Sequence, residues 1–181
     1  EGDIIRTMIE SQATIGLPDG SAIAIEENSI VSISELNSEG DKHISTTDIK
    51  SGKIRFGVQK QANKESSFKF KTGTAVAAIR GTEGIIGTSS NGSFIASLLV
   101  GQLEIVFGGN TTTINGGQTA IPDGDKLKVL DLSSSGTTEL FNIIDKILSD
   151  TTLTMDSLTK LITEKNLDLE QAKQLILQNL N

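Results

Sequence analysis

The segment Thr74–Thr88, TAVAAIRGTEGIIGT, decides how the chain folds, because it places an arginine inside what reads as a core β-strand. Five small or apolar residues precede Arg80, and Gly81, Thr82 and Glu83 follow it at once. Charged side chains are rarely buried without partners. Arg80 is therefore either a group that contacts a ligand or a group that holds neighbouring strands and turns together.

Outward from this segment, apolar and polar residues alternate with period two as far as about Leu132, which is typical of half-buried strands. Turn sequences rich in Gly, Asn and Asp separate the runs, and the Asp-Gly of PDGS (18–21) is a hairpin signal. Short strands with frequent glycine turns predict a mainly β protein. We expect residues 1–136 to form an all-β domain, as a roll, a sandwich or a solenoid-like stack.

After the sequence DLSSSG (131–136) the apolar residues change to helical spacing. Residues 137–181 are predicted to form a small tail of three short amphipathic helices. Helices this short need cover for their apolar stripes. We expect the first to pack on the β domain through Leu140, Phe141, Ile144 and Ile147, and the outer two to form a hairpin or mediate self-association. The outer helices carry the apolar residues Leu158, Leu161, Leu175 and Ile176.

Composition argues against several classes of function. The net charge of −7 lacks the attraction to phosphate that nucleic-acid binding needs. The aromatic residues are six phenylalanines, so stacking platforms for bases or sugars are scarce. No apolar run approaches 18 residues, so we expect no membrane-spanning segment. Zero cysteines exclude disulfides and thiolate chemistry.

The residue pattern predicts neither catalysis nor a cofactor. His43 is the only histidine, lies in a polar loop sequence, and cannot form a triad or a zinc site without cysteine partners. Asp123 and Asp125 of PDGD could form a weak calcium site, although such a pair is commonly a turn. We expect no catalytic residues and no resident metal.

Several segments together resemble the FecR-type domain over about residues 1–132. They are SQATIGLPDGSAIAIEENSIVSISEL (11–36), DIKSGKIRFGV (48–58), FKFKTGTAVAAIRGTEG (68–84), LVGQLEIV (99–106) and INGGQTAIPDG (114–124). The resemblance implies an extracytoplasmic, all-β, non-enzymatic domain. The regulators that founded the family relay a signal from an outer-membrane receptor to a sigma factor. The helical tail departs from that architecture.

The resemblance also bears on Arg80, since the RGT triplet is the family's most specific mark. A motif shared by proteins with unlike partners favours a structural role over contact with a ligand carboxylate or sugar. An arginine has five donors that could tie several carbonyls together, completed by Gly81, Thr82 and Glu83. We therefore expect a buried Arg80, and a loss of about 3 kcal/mol or more in Arg80→Ala.

The sequence thus predicts a non-catalytic periplasmic or extracellular interaction or sensory domain of FecR type, acting through contacts with another bacterial envelope protein in signalling or organisation. A second hypothesis is a module that binds cell-envelope glycans, against which the absence of Trp and Tyr counts. A third is a degenerate small-molecule-binding or hydrolytic β-roll.

Overall fold

The computed structural model describes residues 2–88 and 94–131. Within these ranges, all regular secondary structure is β-strand. The tail predicted for 137–181, with Leu158, Leu161, Leu175 and Ile176, lies outside the described residues. The strands are β1 (Ile4–Arg6), β2 (Ala13–Gly16), β3 (Ala22–Ile25), β4 (Ile30–Glu39), β5 (Lys42–Val58), β6 (Ser67–Lys71), β7 (Ala75–Ile79), β8 (Thr82–Thr88), β9 (Phe94–Val100), β10 (Gln102–Phe107), β11 (Asn110–Asn115), β12 (Gln118–Asp123) and β13 (Lys126–Asp131).

The thirteen strands form two sheets that are continuous through the long strand β5. Sheet A runs β1, β4, the first part of β5, β6, β7, β10 and β11; sheet B runs β2, β3, the last part of β5, β8, β9, β12 and β13. All neighbours are antiparallel except β5 and β6. The all-β prediction is confirmed for the described residues.

The hydrophobic core lies between the two sheets. Inward-facing side chains of both sheets form one buried cluster. Phe56 of sheet B meets Phe70 of sheet A with ring centroids 4.9 Å apart, and Phe94 meets Phe107 at 6.3 Å. These distances are those at which aromatic pairs attract each other. The described strands therefore form one thirteen-stranded, nearly closed barrel-like sheet around this core.

Strand β5 passes from sheet A to sheet B at Gly52. Ser51 still pairs with Ile30 of β4, whereas Gly52 already pairs with Thr88 of β8. Gly52 has a φ of +92°, which residues with a Cβ rarely adopt, and a Cβ there would collide with Ser29. Sharing one strand between both sheets depends on this position.

Two further glycines turn the chain between the sheets, and the corners they form are in contact. Gly81 (φ +67°) joins β7 of sheet A to β8 of sheet B, and Gly101 (φ +91°) joins β9 of sheet B to β10 of sheet A. A Cβ on Gly101 would lie 2.5 Å from both Gly81 O and Thr82 Cγ2. The two crossings therefore pack backbone against backbone, and we call this contact the corner contact.

The expectation that Arg80 is buried is wrong. In β7, Ala75, Ala77 and Ile79 face the core and Val76 and Ala78 face solvent; Arg80 continues the solvent-facing side and is exposed. Successive side chains of a strand point to opposite faces, so burial of Ile79 places the next residue outside. Within the RGT triplet, the constrained positions are those of the corner contact, where Thr82 is 1% exposed.

We predict that Gly101→Ala destabilises the domain by more than about 3 kcal/mol, because it adds positive-φ strain to a clash with backbone. Chemical denaturation of two control alanine variants separates the effect of the strain from the effect of the clash. Gly109 has a φ of +78° with open space around it, so Gly109→Ala should lose only about 1 kcal/mol. Gly73 has neither constraint, and Gly73→Ala should be near neutral. Equal losses of stability in Gly101→Ala and Gly109→Ala would contradict the corner contact.

We predict that Arg80→Ala changes the free energy of unfolding by no more than about 0.5 kcal/mol, as expected for an exposed surface substitution. Urea titrations of parent and variant at one pH measure the difference. A loss near 3 kcal/mol would restore the structural role that the sequence had predicted for the side chain.

Candidate functional site on the outer face of sheet B

The outer faces of the two sheets differ. In sheet A, strands β7 and β10 alternate between buried and exposed residues, as expected of a sheet with one solvated face. In sheet B, every residue of β8 except Glu83 is buried, and β9 is buried from Phe94 to Leu98. Strands buried on both faces normally lie in sheets that are covered on both sides.

Three isoleucines lie on this outer face, one on each of the neighbouring strands β8, β9 and β12. Ile85, Ile95 and Ile121 are 3%, 1% and 1% exposed, yet none belongs to the cluster that fills the space between the sheets. Beside them, the hydroxyls of Ser97 and Thr119 are 2.8 Å apart and fully buried. We call these five residues the outer patch.

A groove of about 290 Å³ adjoins the outer patch over strands β2, β3, β5 and β8. Its floor is shallow because Ala22, Ala24 and Gly57, paired across β3 and β5, carry little or no side chain. Leu99, 43% exposed, lies at its margin. The full lining is Thr14, Ala22, Ala24, Arg55, Phe56, Gly57, Glu83, Gly84, Ile85 and Leu99.

A charged cluster borders the groove. Arg55 donates from Nε to Glu26 Oε1 over 2.8 Å, and Gln12 donates from Nε2 to Glu26 Oε2 over 2.6 Å. The Glu26 side chain is 8% exposed, while that of Arg55 is 43% exposed. Glu26 thus holds the arginine in place while much of the side chain of Arg55 remains open to solvent.

Lys53 lies two residues before Arg55 on the same face of β5 and is 4% exposed. The pKa of its ammonium is lowered to about 8, chiefly by burial and also by the positive charge of Arg55, which together outweigh the opposing effect of Glu26 and Glu27. A buried lysine favours its neutral form because the low-dielectric surroundings disfavour charge.

The structure brings only one of the predicted site residues to this groove. Glu83 lines it, whereas Arg80, Gly81 and Thr82 are not among the lining residues. Asp123 and Asp125 lie exposed at the β12–β13 turn, where the Asp125 carbonyl accepts a 3.1 Å hydrogen bond from Asn110. Within 2–88 and 94–131, no group of three or more His, Asp or Glu side chains could hold a metal ion. Calcium binding at the pair stays a prediction.

Comparison with known proteins assigns the family. Residues 3–104 match the family described as FecR protein, and they include the corner contact and every lining residue of the groove. This chain belongs to the FecR family. The resemblance noted from the sequence is confirmed. No curated protein matches the chain.

Two crystal structures of a proposed anti-sigma factor from Parabacteroides distasonis share this FecR fold. They align with TM-scores of 0.63 and 0.62 at 15% and 13% sequence identity. Each alignment covers 77% of this chain and 64% of the solved chain. At this identity the likeness shows the shared fold alone. Among the described residues, no helix is long and apolar enough to cross a membrane.

Sequence reasoning missed the charged residues that border the groove. Adjacent residues of an extended chain point to opposite faces, so Glu26 and Glu27 by themselves indicate no converging site, and the pairing of Glu26 with Arg55 is a long-range contact. The signal was the alternation Lys53–Ile54–Arg55, which places two cations on one face of a strand whose other face is core.

We predict that the free energy of unfolding rises between pH 8 and 10.5 by up to about 1.4 kcal/mol per pH unit from Lys53 alone, because in that window the unfolded chain binds a proton that the folded chain has released. Below pH 8 both states are protonated and the contribution is flat. Lys53→Met should remove this rise.

Urea titrations at pH 7.5, 8.5 and 9.5 test the prediction. The exposed Lys69 on the outer face of sheet A provides the matched control, and Lys69→Met should keep the slope of the parent. Parallel stability curves for parent and Lys53→Met would show that Lys53 titrates as an ordinary lysine.

Proposed function

We propose that this chain is a non-catalytic interaction domain of bacterial envelope signalling, located in the periplasm or outside the cell, that binds another protein through the groove on sheet B. The proposal rests first on membership of the FecR family. It rests also on the shared fold with a proposed anti-sigma factor, the class of regulator in which such a domain would need a protein partner.

The single observation that carries the proposal is the groove itself. It has a floor of alanine and glycine, an exposed leucine at its margin, and an arginine held by a buried glutamate. A shallow surface of this kind admits an extended polypeptide, and guanidinium groups suit recognition of carboxylates. The partner should therefore present an extended segment that carries an acidic residue.

Edge strand β2 strengthens this assignment. Among the described strands, β2 pairs with β3 alone, so its other edge presents backbone groups next to the groove. A segment that paired with β2 would gain backbone hydrogen bonds, while the groove selected its side chains. This is the physical basis for specific binding without catalysis.

Site-specific photo-crosslinking in the native host tests the proposal. A photoreactive residue at Leu99 should yield one discrete protein adduct, and Arg55→Ala should reduce its yield. The same residue at Lys69, on the outer face of sheet A, should yield none. Equal adducts at both positions would contradict a binding groove on sheet B.

A ligand thermal-shift screen separates the alternative function. Peptidoglycan fragments and oligosaccharides should leave the unfolding temperature of the purified domain unchanged. A saturable shift with these glycans, in the absence of a protein adduct at Leu99, would instead support a glycan-binding module. A reporter fused to the native gene product, active only outside the cytoplasm, tests the location.

A further inference from the structure

The outer patch is buried although none of the described strands packs against that side of sheet B. All thirteen strands belong to the two sheets, and the hydrophobic core lies on the opposite side of β8, β9 and β12. Neighbours within one sheet do not reduce isoleucines to 1% and 3% exposure on an open face. The sequence shows the same preference in the apolar doublets Ile85–Ile86 and Phe94–Ile95.

We propose that residues 138–148 of the same chain, as an amphipathic helix, cover the outer patch. Their apolar residues repeat at helical spacing and need cover, since a helix of this length is marginal alone in water. The proposal concerns β8, β9 and β12, meets the groove at Ile85, which belongs to both, and does not depend on the proposed function. The apolar residues are Leu140, Ile143, Ile144, Ile147 and Leu148.

The path of the chain allows this docking. Strand β13 pairs with β12 at the edge of sheet B, and its last residue, Asp131, lies opposite Gln118, next to Thr119 of the patch. Residues 132–136 reach at most about 17 Å when extended. The distance from β13 to β8 is three strand spacings, or roughly 14 Å. A short connection is therefore enough to bring the helix over the patch.

The dimensions of the patch also match those of the proposed helix. The patch is three strands wide, about 10 Å between the outer two, which matches the diameter of one helix. Eleven residues of helix measure about 16 Å, and a seven-residue strand measures about 23 Å. The small side chains of Gly87 and Ser97 on this face permit a close approach.

The absence of cysteine makes a direct test simple. Ser97→Cys places a thiol in the patch, and Thr113→Cys places one on the exposed outer face of sheet A. In the otherwise native full chain, the S97C thiol should react with a disulfide reagent about 100-fold more slowly than the T113C thiol, because it becomes accessible only when the cover opens. Equal rates would show an open face and overturn the proposal.

A second set of variants identifies the cover. Adding I144D/I147D to S97C should bring the reaction rate close to that of T113C. The matched control T138D/N142D adds the same charge at positions opposite the apolar stripe and should keep the protection. Protection that survives I144D/I147D would assign the cover to something other than this segment.

Two further measurements exclude unfolding of the sheets and cover by a second copy as explanations of the reaction rates. Circular dichroism establishes that the sheets remain folded in I144D/I147D; if they do not, the milder I144A/I147A pair should still accelerate the S97C reaction. The rate is also measured over a hundred-fold dilution. Protection that falls on dilution would show that a second copy covers the patch and would overturn docking within one chain.

Discussion

Two glycine corners, at Gly81 and Gly101, touch where the chain passes between its two sheets. A side chain at Gly101 would displace the other corner, because Gly81 O and Thr82 occupy the space that its Cβ would need, whereas a Cβ at Gly81 would press on Lys60. The crossings β7–β8 and β9–β10 are thereby fixed against each other, and with them the order of strands in both sheets. Gly116 adds to this contact by donating a 2.9 Å hydrogen bond from its amide to Gly101 O.

This constraint gives sheet B its particular character. Strands β8 and β9 begin and end at the corner contact and lie in the middle of sheet B, with their inner faces committed to the core. Their outer faces nevertheless carry isoleucines and buried hydroxyls, and the neighbouring part of the face carries Lys53, Arg55 and Glu26. The structure thus separates a solvated face on sheet A from a face on sheet B whose residues on β8 and β9 are largely buried.

Local patterns predicted much of this fold. Period-two alternation and turn residues identified an all-β domain, and the family resemblance over 1–132 agrees with the match over 3–104. Local patterns did not decide between a roll, a sandwich and a solenoid. The arrangement depends on β5, which changes from one sheet to the other at Gly52, and this change rests on long-range strand pairing with no local sequence signature.

The site was less predictable, for two physical reasons. The phase of alternation in β7 decides that Arg80 faces solvent, and reading the motif as a buried network ignored that phase. The pairing of Arg55 with Glu26 joins residues 29 positions apart through the β3–β5 register, which sequence spacing does not reveal. The glycines of the motif mattered for their backbone conformation rather than for enclosing a charge.

Native-state hydrogen exchange measures the central claim most directly. If the corner contact holds the two sheets together, the amides of Gly116 and Gly117, which donate to Gly101 O and Leu98 O, should exchange only through global unfolding, with the same denaturant dependence as the β8–β9 amides. Exchange of these two amides by local opening, at a free energy well below that of β8 and β9, would contradict the account.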